Sequence, residues 1–185
     1  MHVGSVRGVR VRIVRQGLAA LVVAAAMLLS GAAQAQSKDP DPDYLVFGAG
    51  AYEIERPDHE AQLRAEYRFS ERFWVLKPMV GVLVTNEKTL IGYAGVRIDM
   101  YLARHWILTP SFAFAGFNRG DGRDLGSAFE FKSGLELDYR MDDHTRIGIA
   151  FDHISNAGIT KTNPGANSAL LYYAIPINWF GAPKR

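Results

Sequence analysis

His153 and Ser155 stand two residues apart in the segment Arg146-Ile147-Gly148-Ile149-Ala150-Phe151-Asp152-His153-Ile154-Ser155-Asn156. An imidazole beside a hydroxyl offers general-base activation of a nucleophile, the minimal constellation for acyl transfer. Residues two apart on a strand share a face. In an extended segment the pair therefore joins Ile147, Ile149 and Phe151 on one apolar side, and Asp152 points to the other. His-x-Ser spacing arises by chance in many chains, and a histidine at a membrane interface is ordinarily just an interfacial polar group. Polar side chains on an apolar, lipid-facing surface carry more weight, because such groups are expensive at membrane depth and are kept there for function.

The elements that must position this pair are strands. From Ala61 to Phe69, Ala61, Leu63, Ala65, Tyr67 and Phe69 alternate with Gln62, Arg64, Glu66 and Arg68; from Phe129 to Arg140, Phe129, Phe131, Leu135, Leu137 and Tyr139 oppose Glu130, Lys132, Glu136, Asp138 and Arg140. Period-two alternation is the mark of a strand with one apolar face. Eight such segments lie between turn signals: 44–52, 61–69, 73–84, 89–102, 106–117, 129–140, 146–155 and 168–180. Their length suits tilted membrane strands of about 9 to 11 residues. The chain is thus expected to be all-β, an eight-stranded antiparallel transmembrane β-barrel spanning residues 44–180. Alternation alone leaves open which face is outside, and a soluble barrel would invert it. The composition favours charges inside: both signs occur on the polar faces and can pair in a narrow lumen, while aromatics on the apolar faces suit interfacial girdles. Connections after the second, fourth and sixth segments are short and the others longer on the whole, as in a barrel with periplasmic turns and extracellular loops.

Residues 1–35 are expected to be a signal peptide, with Arg7, Arg10, Arg12 and Arg15 before the apolar run Leu18 to Leu29 and a small-residue cleavage site at Ala33-Gln34-Ala35. Residues 36–43 follow as a polar leader and 181–185 as a short tail. The whole chain has 21 basic and 19 acidic residues; without those four arginines 17 basic residues face 19 acidic ones, so no basic surface for nucleic acid remains. The absence of cysteine excludes disulfides, thiolate metal sites and cysteine nucleophiles.

The run His153-Ile154-Ser155-Asn156-Ala157-Gly158, followed by Asn163-Pro164-Gly165-Ala166-Asn167-Ser168 and a closing strand, resembles the PagL family of outer-membrane lipid A 3-O-deacylases. The resemblance implies a barrel in the bacterial outer membrane, acting on lipid A of lipopolysaccharide in the outer leaflet, with no cofactor and no metal. It implies that Ser155 is the nucleophile and His153 the general base. Asn156 and the turn from Asn163 to Gly165 look like its donors to an oxyanion, a task suited to side-chain amides and backbone N–H groups. Where the family's pattern carries a glutamate as the third member, Asn167 stands here. An amide can hold a histidine tautomer through its carbonyl but brings no negative charge to the imidazolium.

Two other readings stay open on the residues alone: a non-catalytic structural or adhesion barrel of the OmpA or OmpX type, and an acyltransferase acting on lipid A. The oligomeric state, monomer or homodimer, is not set. His59, His105 and His144 are expected as solvated loop residues, Asn118 to Asp124 as an ordinary extracellular loop whose Arg119 and Arg123 can meet lipid A phosphates, and Arg64, Glu66, Arg68, Arg97, Lys132 and Glu136 as a charged network filling the lumen.

Overall fold

In a computed structural model residues 41–177 are described. The expected signal peptide, the start of the leader, the end of the last segment with Trp179-Phe180, and the tail lie outside them. The strands are β1 (Asp43–Tyr52), β2 (Glu60–Arg68), β3 (Lys77–Thr85), β4 (Leu90–Arg97), β5 (Met100–Tyr101), β6 (Trp106–Asn118), β7 (Phe129–Arg140), β8 (Arg146–Ser155) and β9 (Ala166–Ile177). Every pairing is antiparallel, and β1 pairs with both β2 and β9, while β4 and β5 both pair with β6. The sheet therefore closes on itself.

Among the described residues the barrel has eight staves, because β4 and β5 are one strand. Arg97 faces Ser111 and Met100 faces Leu108, the same register on either side of a gap. Opposite the gap lies Pro110, whose carbonyl accepts from Ile98 N at 3.0 Å but which has no N–H to return. The single segment expected over 89–102 survives as one stave with a missing rung. The third strand differs from expectation: it begins at Lys77, not at Phe73. Phe73 and Leu76 exchange two backbone hydrogen bonds, of 3.0 and 3.1 Å, across a tight turn with Trp74 at φ 59°. That turn takes residues 73–76 out of the barrel wall.

The charged face is inside. Arg64, Glu66, Arg68, Lys132, Glu136 and Asp152 are all buried, whereas Leu63, Ile149, Leu171 and Phe114 on the alternate positions are more than half exposed. An apolar exterior over a packed, charged interior is what a lipid solvent selects. Arg64 bridges Glu136 at 3.1 Å and Asp152 at 3.2 Å; Arg68 holds Glu136 at 2.7 Å and Glu66 at 2.5 Å; Lys132 reaches Asp152 at 2.5 Å. The two alternating segments anticipate a charged network here, and β8 adds Asp152 to it. The lumen is not polar throughout, however. Beside the network, Met79, Leu83, Ile91, Ala113, Ile154 and the loop residue Leu125 form an apolar cluster. Eight staves leave an interior only wide enough for side chains to fill, so apolar side chains pack there among buried polar ones such as Gln62 and Glu130.

One end of the barrel is closed by ions. Asp41 lies 2.9 Å from Arg146 and 3.1 Å from Lys77, and Asp99 lies 3.0 Å from Lys77 and 3.3 Å from Arg146. Burial would push the Asp41 carboxyl up, but Arg146 and Lys77 hold it down at about 2. The end of the expected leader is thus part of the barrel floor. His105 and His144, expected as solvated, also belong to this end: His105 Nδ1 lies 2.8 Å from the Arg140 carbonyl and stacks on Tyr139, and His144 Nδ1 lies 2.8 Å from Arg140. Their turns fold back onto the strand ends, which sequence separation does not signal.

Candidate active site

Strand β8 carries His153 and Ser155 on its outward face, at the end that runs into the long connection 156–165. The imidazole is held from both sides. Its Nε2 lies 3.1 Å from Ser155 Oγ, and its Nδ1 lies 2.8 Å from Asn167 Oδ1. Asn167 reaches it because β8 and β9 pair with His153 directly opposite Asn167. All three side chains are partly buried, so the histidine is neither sealed from substrate nor fully wet. With the amide oxygen accepting from Nδ1–H, the tautomer is set and Nε2 is left bare toward the hydroxyl. This is the arrangement needed for a histidine to take a proton from serine.

Gly165 is the second device. Its φ is +65°, in the left-handed region that favours glycine. A Cβ placed there would sit 3.0 Å from His153 Cε1. The connection 156–165 thus returns against the imidazole face at a position that favours glycine, where any Cβ would press on the ring. Across the strand pair on the other side, Ser133 faces His153 and Phe131 faces Ser155.

Asn156 has a different task from the oxyanion donor expected. It is fully buried, and its Nδ2 donates to Leu125 O, Thr160 Oγ1 and Thr162 O at 3.0, 3.0 and 2.9 Å, while Oδ1 accepts from Gly158 N at 3.0 Å. A buried amide has to be paired, and this one is spent on tying the connection 156–165 to the Leu125 plug. Asn163 is exposed; its Oδ1 accepts the Asn156 N–H at 3.0 Å, leaving the amide nitrogen for another partner. Asp152, by parity on the opposite face, lies in the lumen with Arg64 and Lys132.

Two further features come from the tertiary structure. An apolar groove of about 700 Å³ runs along the barrel wall over β7, β8 and β9, lined by Leu135, Ile149, Phe151, Ala169 and Leu171. Phe151 and Ala169 face each other one step below the His153 and Asn167 pair, so the groove leads directly to the site. The connection 53–59 also reaches it. Ile54 N donates to Asn167 O at 3.1 Å, and Asn167 N donates to Glu55 Oε2 at 3.3 Å. Neither contact has a sequence signal, since Glu55 sits in an irregular loop far from Asn167 along the chain. Arg123, expected among phosphate-facing cations, is 3.2 Å from the buried Glu53, while Arg119 is exposed.

Comparison with known proteins bears on the family and the fold. Residues 62–176 match the model of the PagL family, described as lipid A 3-O-deacylase. A lipid A deacylase PagL of Bordetella bronchiseptica is 41% identical over 49 residues, 26% of this chain and 28% of that protein. The lipid A deacylase PagL of Pseudomonas aeruginosa is 35% identical over 65 residues, 35% of this chain and 37% of that protein. The matched stretches thus span well under half of either relative. Among solved structures, the crystal structure of the outer membrane enzyme PagL superimposes with a TM-score of 0.59 at 17% identity, covering 72% of this chain and 99% of that one. Neisserial surface protein A, another barrel of this architecture, gives 0.53 at 9% identity, covering 73% and 97%. A homodimer finds no support in these comparisons. The family match, extending over more than half of the chain from β2 to β9, means that the chain belongs to the PagL family of lipid A 3-O-deacylases.

Proposed function

We propose that this barrel is an outer-membrane serine esterase that hydrolyses the 3-O-linked acyl chain of lipid A. The observation that carries the reading is the continuous chain Ser155 Oγ, His153, Asn167 Oδ1 on the lipid-facing wall, with contacts of 3.1 and 2.8 Å. Ser155 Oγ attacks the acyl carbonyl carbon as its proton passes to His153 Nε2. The tetrahedral oxyanion that forms is met by the Asn163 side-chain amide and backbone N–H groups of the 163–165 turn. Collapse breaks the ester bond, and His153 hands its proton to the departing 3-hydroxyl oxygen. A water then hydrolyses the acyl-serine by the same steps in reverse roles. The apolar groove over β7 to β9 suits the acyl chain, whose burial there stabilises binding by about 25 cal/mol for each Å² removed from water.

Mass analysis of lipid A from cells expressing the folded barrel is expected to show loss of one 3-hydroxyacyl chain. Lipid A of unchanged mass would remove the esterase reading, and a gain of one acyl chain would turn it into an acyltransferase. Gly165→Val tests the site more finely. A branched side chain at φ +65° pressed on the imidazole is expected to lower kcat/KM about a hundredfold, the scale of loss for displacements of about 1 Å in a catalytic group. The purified variant should still fold, as judged by its gel mobility before and after heating. Full activity would mean that the 163–165 turn does not position His153.

A further inference from the structure

Asn167 holds the His153 tautomer but carries no charge, so the imidazolium formed during acylation lacks the carboxylate that stabilises it in an acid-bearing triad. The carboxylate nearest to this pair by hydrogen bonding comes from the other side of β9. β1 ends its pairing at Tyr52 opposite Ser168, and Glu53 then adopts φ +57°, turning the chain over the end of β9. The turn is closed by Arg56 N donating to Glu53 O at 2.9 Å. Within it, Ile54 N donates to Asn167 O and Glu55 Oε2 accepts from Asn167 N, so the amide residue is gripped by its backbone on both sides.

We propose that Glu55 is a positioning residue of the catalytic site, supplying through Asn167 the negative charge that the His153 and Asn167 pair lacks. This rests on the esterase reading of the same site. The neighbouring charges leave Glu55 to this role. On its own loop, Arg56 is engaged by Asp58 at 3.0 and 2.7 Å and lies 3.7 Å from Glu53. From the connection 119–128, Arg123 is engaged by Glu53 at 3.2 Å. β9 presents the neutral Asn167, and β8 presents His153, the group that becomes a cation. The carboxylate is thus hydrogen-bonded to the residue that orients the base, on the side away from the nucleophile. Bound to the Asn167 backbone N–H while Asn167 Oδ1 meets Nδ1, its charge lies beside the residue that holds the base and offsets, through space, the charge that develops on the imidazole.

The test uses the purified full-length barrel in mixed micelles with lipid A, following acyl release. Glu55→Gln keeps an oxygen to accept the Asn167 N–H but removes the charge. It is expected to lower kcat about fivefold with KM unchanged, a modest effect because the loop is solvent-exposed and screened. Glu55→Asp should recover most of the loss, and Asn167→Glu added to Glu55→Gln should restore kcat fully by putting a carboxylate directly on Nδ1. Unchanged kcat in folded Glu55→Gln, or a change confined to KM, overturns the proposal, as does failure of Asn167→Glu to rescue. If wild type and Ser155→Ala are equally inert, the esterase reading falls and this inference with it. An active wild type with an indifferent Glu55→Gln overturns this inference alone.

Discussion

Ser155→Ala is expected to abolish acyl release, by at least about a thousandfold in kcat, while leaving the barrel folded. The size follows from the loss of the covalent route as a whole, since members of a nucleophile and base unit act together and removing one removes most of what the unit does. The structural cost is small, because Ser155 lies at the end of β8 and its side chain is only partly buried. One other hydroxyl lies near enough to require a control. Ser133 on β7 is opposite His153 and is exposed on the same wall. Ser155 is the one whose Oγ meets His153 Nε2, so Ser133→Ala should retain nearly full activity. Single-turnover assays on both variants separate the two. Activity that persists in Ser155→Ala and disappears in Ser133→Ala would reassign the nucleophile.

The largest stability effect is expected at Arg64. Its side chain is completely buried and joins Glu136 on β7 to Asp152 on β8, across the lumen from its own strand β2. Replacement by methionine keeps much of the volume but leaves two buried carboxylates each short of a partner. Breaking a buried ion pair from one side costs about 3–5 kcal/mol, because the remaining charge stays desolvated. Urea titration of the folded barrel in lipid vesicles, followed by intrinsic fluorescence, should register that loss. The contrasting variant is Arg104→Ala. Arg104 and Asp142 are 3.5 Å apart with both side chains 83% exposed, and exposed pairs of this kind contribute little. Equal shifts for the two variants would mean that the lumen network is not what holds β2, β7 and β8 together.

The same network bears on the site. Asp152, which Arg64 and Lys132 hold inside, immediately precedes His153, which points outside. Anchoring Asp152 in the lumen fixes the rotation of β8, and with it the direction of His153 and Ser155. Loss of Arg64 is therefore expected to loosen His153 and Ser155 as well as the wall.

The amino-acid sequence by itself determined the strands and their faces, because alternation with a period of two is a local property of the chain. It assigned Arg64 and Glu136 to one face of their segments, and it put His153 and Ser155 on the other side from Asp152. It also singled out Asn167 as a partner, through parity and through likeness to a family motif. What local pattern cannot encode is which residue stands opposite which, since register depends on how all eight staves close together. The meeting of Asn167 with His153, the missing rung at Pro110 and the groove beside Phe151 and Ala169 are consequences of that closure. The loops were the least legible. Asn156 becomes a buried tie only because Leu125 plugs the lumen beneath it, and Glu55 reaches Asn167 only because Glu53 turns the chain after β1. Both contacts join residues distant in sequence through irregular backbone, where no periodicity exists to read, so only the tertiary structure could decide them.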